Sequence, residues 1–114
     1  DALCRETLNH LNPFGNRGSV HRKTSEEAAV LIEGNSLDFV FIDAQHHYET
    51  VLTDVKTWFP KLRPGGLMSG HDWGLDYGPP RFGVKKAVVE FARENHLDIQ
   101  LTVIVVLGTF NCQK

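Results

Sequence analysis

Apolar residues recur at the three- and four-residue steps of amphipathic helices in three separate stretches of the chain. These stripes run from Leu3 to Leu11, from Tyr48 to Leu62 and from Val84 to Ala92. A shorter helix is predicted to begin after Thr24, because Thr24 can cap it and Glu27 stands at the capping-box position. Gly34 is expected to end this short helix. The sequence therefore predicts four helices.

Continuous apolar runs of strand length alternate with these helices. The segment "LDFVFIDA" (37–44) is predicted to be a strand buried on two faces, as in a parallel sheet, and "GLMSGHDW" (66–73) is predicted to be a second short buried strand. Between the second long helix and the second strand, Pro64 with Gly65 or Gly66 is expected to stop the helix. Alternation of strands and helices predicts an α/β fold with a mainly parallel sheet. The chain length predicts one domain, or part of one, over residues 1–114.

Two weaker strand signals and one loop complete the pattern. A short strand is expected from Ser19 to Arg22, and the tail "IQLTVIVVLGTFNCQK" is β-rich, with a turn at Gly108. The segment 73–83, rich in glycine and proline, is predicted to be a loop. Its aromatic residues, Trp73 and Tyr77, are the ones we expect to be most available to a substrate.

Composition narrows the class of protein. The 114 residues carry a formal net charge of -2, which provides no positive field for a nucleic acid. Cys4 and Cys112 lack the spacing of a zinc site and are interpreted as reduced thiols of a cytoplasmic protein, although one disulfide between them stays open. No apolar run approaches the ~20 residues that a membrane helix needs.

Titratable residues cluster where the two predicted strands end. Asp43 and Asp72 each follow an apolar strand, with His46, His47 and His71 close to them in the sequence. Ligands of parallel α/β sheets bind beyond the carboxyl ends of the strands, so we expect Asp43 and Asp72 to face one crevice.

Three interpretations of this cluster are open from the residues alone. Two carboxylates and an imidazole suit a divalent metal ion. A histidine or aspartate could instead act as a general base towards a substrate hydroxyl. The third interpretation is ordinary structure, in which the polar residues cap a helix or are solvated.

The stretch "FVFIDAQHHYETVLTDVKTWFPKLRPGGLMSGHDW", followed by "GVKKAVVEFA", resembles the C-terminal half of class I S-adenosylmethionine-dependent methyltransferases. The similarity is greatest to the small-molecule O-methyltransferase-like group, whose signature is IDxxHxYExVxxDxxxWxxxLxPGGxxxxHD. Ala44 and Gln45 depart from it, standing where the group often has Gly and Asp. The resemblance implies a Rossmann-like methyltransferase fold that transfers a methyl group from S-adenosylmethionine to a hydroxyl of a small acceptor.

The resemblance also implies roles for individual residues. Thr24 and Ser25 correspond to the place where the family contacts the adenine ring, and Asp43 with Ala44 to the methyl-bearing end of the cofactor. Asp43, His46 and His71 are the implied catalytic residues. Asp43 and Asp72 match the positions at which metal-dependent members hold Mg²⁺ or another divalent ion. His71 stands where those members usually have a third acidic ligand.

Other residues of the signature are predicted to have structural roles. Tyr48 and Trp58 belong to the apolar stripe and are predicted to pack in the core. Asp54 and Glu49 are predicted to be solvated or to cap the helix.

One part of the family pattern is absent. No glycine-rich turn follows a strand, so we expect that the chain begins after the family's first two strands, which would leave the strand at 37–44 without one neighbour. A second copy or a missing N-terminal segment would then cover that edge. Two other functions stay open: a catalytically silent interaction domain, and a metal-assisted hydrolase that uses Asp43, His46, His71 and Asp72.

Overall fold

The computed structural model describes residues 1–74 and 83–102. Four helices and two strands follow one another along these residues, with 3₁₀ turns at Asn12–Arg17 and Phe59–Lys61. The elements are α1 (Ala2–Leu11), α2 (Ser25–Val30), β1 (Leu37–Ile42), α3 (Tyr48–Trp58), β2 (Leu62–Gly70) and α4 (Val84–Glu94). The fold is α/β, with a parallel sheet and flanking helices, as a partial Rossmann-like methyltransferase fold requires.

The two strands pair in parallel, and α3 forms the connection between them. Phe39 aligns with Leu67 and Ile42 with Gly70, but Leu37 aligns with Leu62, so β2 has extra residues between these pairs. Gly65 lies in this irregular part of β2 with φ at 78°, a left-handed conformation that glycine adopts without strain. This glycine therefore shapes a bulge in the strand and does not cap a helix.

The hydrophobic core lies on one face of the sheet, beneath α3 and α4. Val51 and Val55 of α3 pack with Ala87 and Phe91 of α4, and all four side chains are buried. Residues on the sheet that pack against this cluster are Ile42 and Met68. The helical stripes predicted for α3 and α4 thus face the sheet, as their spacing indicates.

The opposite face of the sheet is open in the described part of the chain. Phe39 and Phe41 are each 52% exposed and stack with their ring centroids 6.5 Å apart, and Leu67 is 60% exposed. The prediction that the strand at 37–44 is buried on two faces was therefore wrong, and in β2, predicted to be a buried strand, only Leu62 is buried. Side chains alternate between the faces of a strand, and the described helices cover only one of these faces.

Helix α3 ends earlier than its apolar stripe predicts. The α-helix stops at Trp58, residues Phe59–Lys61 form a 3₁₀ turn, and Leu62 already belongs to β2. Pro60 explains the change, because proline lacks the N–H that would continue the helical hydrogen bonds. The expectation that Pro64 and the following glycines stop the helix was wrong.

The capping box of α2 is confirmed. Thr24 Oγ1 accepts a hydrogen bond from the Glu27 backbone N–H at 3.2 Å, and the Glu27 carboxylate accepts one from the Thr24 N–H at 2.9 Å. The helix ends at Val30 rather than at Gly34, and the left-handed residue in the connection is Asn35, with φ at 55°.

Two predictions for the ends of the chain need correction or fall outside the description. Residues 18–22 form no strand, contrary to the expectation for Ser19 to Arg22. Residues 99–102 lack regular structure, while residues 103–114, including Gly108, and Tyr77 of the predicted loop lie outside the described residues. Within the described ranges, no helix is long and apolar enough to cross a membrane.

Candidate functional site

Asp43 and Asp72 lie at the same edge of the sheet. Asp43 follows the last residue of β1, and Asp72 comes two residues after the end of β2. Parallel pairing aligns the two strand ends, and a hydrogen bond from the His71 N–H to the Ile42 carbonyl at 3.2 Å extends the contact beyond the sheet. The predicted crevice is thus formed by two adjacent strands.

Asp72 is the centre of the polar contacts in this crevice. One carboxylate oxygen lies 2.5 Å from His46 Nε2, and the other lies 2.9 Å from His71 Nδ1. The backbone of Asp72 is left-handed, with φ at 67°, a conformation in which aspartate and asparagine are enriched among non-glycine residues. This backbone conformation, directly after the strand, places the side chain between the two histidines.

The charge state of Asp72 follows from these contacts. Burial of the side chain by itself raises the pKa of the carboxyl, because it disfavours the ionised form. Hydrogen bonds from His46 and His71, together with their charges, outweigh burial and lower the pKa of Asp72 below its ordinary value of 3.8. Asp72 is therefore a carboxylate at neutral pH. It can orient an imidazole ring and stabilise the positive charge that the ring carries when it is protonated.

His46 is held by its backbone as well as by Asp72. The N–H of Gly83, which precedes α4, donates to the His46 carbonyl at 2.9 Å. Gly83 packs so tightly that a Cβ built on it would lie 2.7 Å from the Cβ of Tyr48. The starts of α3 and α4 thus meet beside the histidine and fix the loop that carries it.

Asp43, His46 and Asp72 form a cluster that could hold a cation. Each offers one ligand atom, and these three atoms all lie within 4.8 Å of one another. His46 and Asp72 are half-buried, whereas Asp43 is exposed. His71 contacts Asp72 but is not a member of this three-residue cluster.

A cavity of about 390 Å³ lies beside β1, and most of the residues predicted to contact the cofactor line it. Ser25, Asp43 and Ala44 line it, and Thr24 does not. The Thr24 side chain is instead engaged in the helix cap, while Ser25 accepts a hydrogen bond from Trp58 Nε1 at 2.7 Å. Trp58 was predicted to pack in the core, but it is only half-buried and it makes this hydrogen bond as well.

Asp54 is the residue that the sequence interpretation placed wrongly. It was expected to be solvated or to cap a helix, but it is only 5% exposed and lines the cavity beside Trp58. Its position in α3 gives the signal that could have found it, because it lies between Val51 and Trp58 at three- and four-residue steps on the buried side.

Tyr48 and Trp73 also make polar or charged contacts near the site. The Tyr48 hydroxyl donates to Glu90 at 2.6 Å, which raises the pKa of Tyr48 above its ordinary value of 10.0. The ammonium of Lys85 lies 6.0 Å from the ring centroid of half-buried Trp73. Tyr48 therefore links α3 to α4, rather than serving only as apolar filling.

Comparison of the sequence with known proteins identifies a family for this chain. A family model described as a methyltransferase domain matches residues 2–73, which span α1 to the end of the predicted signature. The chain belongs to this methyltransferase family. The catalytic, cofactor and metal roles of the named residues stay predictions, since the match identifies the domain and not its working groups.

A curated relative of this methyltransferase domain is an uncharacterized protein, y4gI, of Sinorhizobium fredii. It is 41% identical over 72 residues, which are 63% of this chain and 8% of that protein. The chain thus spans less than a tenth of the relative's length. No solved structure matches the chain significantly.

Proposed function

We propose that this methyltransferase domain acts in the transfer of a methyl group from S-adenosylmethionine to a hydroxyl of a small molecule. One observation carries the proposal: a histidine and two carboxylates meet at the carboxyl edge of a parallel sheet in a domain of this family. That edge is where α/β sheets bind their ligands.

In this proposal, His46 acts as the general base towards the acceptor hydroxyl. Asp72 accepts a hydrogen bond from His46, orients its ring and stabilises the positive charge that the ring gains with the proton. Asp43 stands beside both groups at the end of β1 and positions the reactants. S-adenosylmethionine, held by Ser25 and Asp43, would supply the electrophilic methyl group for the acceptor oxygen.

The polar groups that line the cavity are complementary to the adenosine part of this cofactor. Hydroxyl and amino groups of adenosine are hydrogen-bond donors, and the carboxylate of Asp43 and the hydroxyl of Ser25 are acceptors that line the cavity. Apart from the Asp54 carboxylate, aromatic and aliphatic side chains form the rest of the wall, as in many small-molecule sites.

The donor set also fits a divalent cation. Asp43, His46 and Asp72 would hold the ion, and the ion would make an acceptor hydroxyl easier to deprotonate. The same three residues are the observation that favours a metal-assisted hydrolase as a second candidate function. That enzyme would bind the metal without binding S-adenosylhomocysteine.

Calorimetry with S-adenosylhomocysteine tests the proposal on the whole chain. We expect measurable binding that Asp43→Asn weakens at least tenfold and that Asp98→Asn, an equal charge change at an exposed residue after α4, leaves unchanged. Mn²⁺ titrated alone identifies the hydrolase alternative. Binding of Mn²⁺ without any binding of S-adenosylhomocysteine, or equal binding by the Asp43 variant, would refute the proposed function.

A further inference from the structure

Two lysines in the first turn of α4, Lys85 and Lys86, lie over aromatic rings close to the proposed catalytic edge. The Lys85 ammonium is 6.0 Å from the ring centroid of Trp73, and the Lys86 ammonium is 4.5 Å from that of Tyr48. Trp73 directly follows Asp72, and Tyr48 is the first residue of α3. The start of α4 therefore brings two cations to the side of the site at which β2 ends and α3 begins.

The backbone fixes these lysines relative to the proposed base. The Gly83 N–H donates to the His46 carbonyl at 2.9 Å, and Lys85 follows Gly83 by two residues. The His46 ring in turn contacts the carboxylate of Asp72, the neighbour of Trp73 in the chain. An acceptor whose hydroxyl lies at His46 can therefore reach both Trp73 and Lys85.

Lys85 and Lys86 differ in the groups that surround their charges. The Tyr48 hydroxyl donates to Glu90, so an acidic side chain lies at the far end of the ring that Lys86 covers. Lys85 is exposed and lies over half-buried Trp73. An ammonium has three donors, so Lys85 can bind an anion while it keeps its other contacts. The contact of an exposed cation with an aromatic ring is weak enough to adjust when a ligand binds.

Charges of opposite sign flank the position of the acceptor. Asp43 and Asp72 place two carboxyl groups at the edge of the sheet, whereas Lys85 places an ammonium at the start of α4. An acceptor with a carboxylate is repelled by the first pair and attracted by the lysine. Its anionic end is therefore directed to Lys85, and its hydroxyl is left to face His46.

We propose that Lys85 and Trp73 form the subsite for the anionic end of the acceptor, which is a small hydroxy acid with an aromatic body. Trp73 packs against the body of this acceptor, and Lys85 binds its carboxylate. The role of His46 in this inference rests on the proposed methyl transfer. The preference for an anion is a property of binding and can be measured separately.

Two probes of equal size, 4-hydroxybenzoate and 4-hydroxybenzamide, test the subsite. They share the ring and the hydroxyl, but only the benzoate is charged at neutral pH. Each is titrated into the whole chain at low ionic strength, and amide chemical shifts report both affinity and location. We expect the benzoate to bind at least threefold more tightly, with its largest shifts at residues 71–73 and 84–86. A severalfold preference is the expected size because exposed ion pairs are weak and are screened by salt.

Protein variants supply the second arm of the test. Lys85→Met removes the charge and keeps most of the side-chain length, so it should weaken the benzoate at least threefold and leave the benzamide unchanged. Lys56→Met is the matched control, an equal change at an exposed residue in the last turn of α3, and should alter neither affinity. Three results would overturn the subsite: no binding of the benzoate, equal affinities of the two probes for the unaltered chain, or a benzoate affinity that Lys85→Met leaves unchanged.

Binding of S-adenosylhomocysteine separates this inference from the proposed function. Lys85→Met should bind it as tightly as the unaltered chain, because Lys85 does not line the cavity assigned to the cofactor. If S-adenosylhomocysteine binds and the benzoate has no advantage over the benzamide, the subsite alone is refuted. If the benzoate is preferred and S-adenosylhomocysteine does not bind, methyl transfer is refuted and the anion site stands.

Discussion

Replacing Gly83 by alanine tests how tightly the starts of α3 and α4 are fitted beside the site. The added Cβ would lie 2.7 Å from Tyr48 Cβ and 3.2 Å from Tyr48 Cα. Carbon atoms in contact normally lie about 3.5–4.0 Å apart, so α4 would have to move by about 1 Å. Ala87, one turn further along α4, is fully buried, which prevents a compensating shift of the helix.

The expected cost of Gly83→Ala is about 1–3 kcal/mol, the usual range for overpacking a filled site. Part of this cost comes from the hydrogen bond between the Gly83 N–H and the His46 carbonyl, which spans 2.9 Å and would be stretched. The φ of Gly83 is -158°, outside the left-handed region, so the predicted cost follows from the contact with Tyr48 and its effect on this hydrogen bond. A loss of 1 kcal/mol lowers the melting temperature of a domain of this size by roughly 4–8 °C.

Urea and thermal denaturation followed by far-ultraviolet circular dichroism measure this effect. Gly74→Ala is the matched control, because a Cβ at Gly74 meets nothing within 4 Å, and its cost should stay within about 0.5 kcal/mol. Equal stability of the two variants would refute the close contact between Gly83 and Tyr48. The same spectra report whether the helices are retained.

Three further predictions concern acid stability, capping and packing. The pKa of Asp72 is lowered on folding, so its stabilising effect is present above pH 3.8 and is lost as the pH falls through the folded value. Asp72→Asn keeps a residue that tolerates the left-handed backbone, and it should reduce the free energy of unfolding at pH 7. In this variant the free energy of unfolding should also fall less steeply as the pH drops below 3.8. Urea titrations at several pH values measure both effects. Thr24→Ala removes the cap of α2 and should cost about 0.5–2 kcal/mol in the same denaturation assay, whereas an unchanged midpoint would contradict the capping role. Phe91→Ala should cost about 3–5 kcal/mol, since Phe91 is 7% exposed and packs edge-on against Phe59, while Phe39→Ala on the open face should cost far less.

Local patterns in the sequence were sufficient for several parts of this structure. The capping box at Thr24, the strand at Leu37–Ile42 and the helix at Val84–Glu94 each depend on residues close in sequence, and each is confirmed. The meeting of Asp43 and Asp72 needed one further step, the parallel alignment of two strand ends, which the alternating pattern supplied.

Other features depend on neighbours that a local pattern does not specify. The apolar run of β1 looks the same whether one or two faces are covered, so it could not reveal that Phe39 and Phe41 are half-exposed. Asp54 was misplaced because charged residues usually face water, whereas its neighbours in space are Trp58 and the wall of a cavity. The contact between His46 and Asp72 joins residues 26 positions apart and required the folded chain.

Mapping S-adenosylhomocysteine onto the chain by amide chemical shifts tests the central claim most directly. If the edge formed by Asp43, His46 and Asp72 is the site of methyl transfer, the shifts on titration should concentrate at residues 24–25, 43–46 and 71–72. Detection extends to weak binding, so the measurement does not require a high affinity. Absence of shifts at saturating ligand, or shifts confined to the exposed lysines of α4, would contradict the assignment of this edge as the cofactor site.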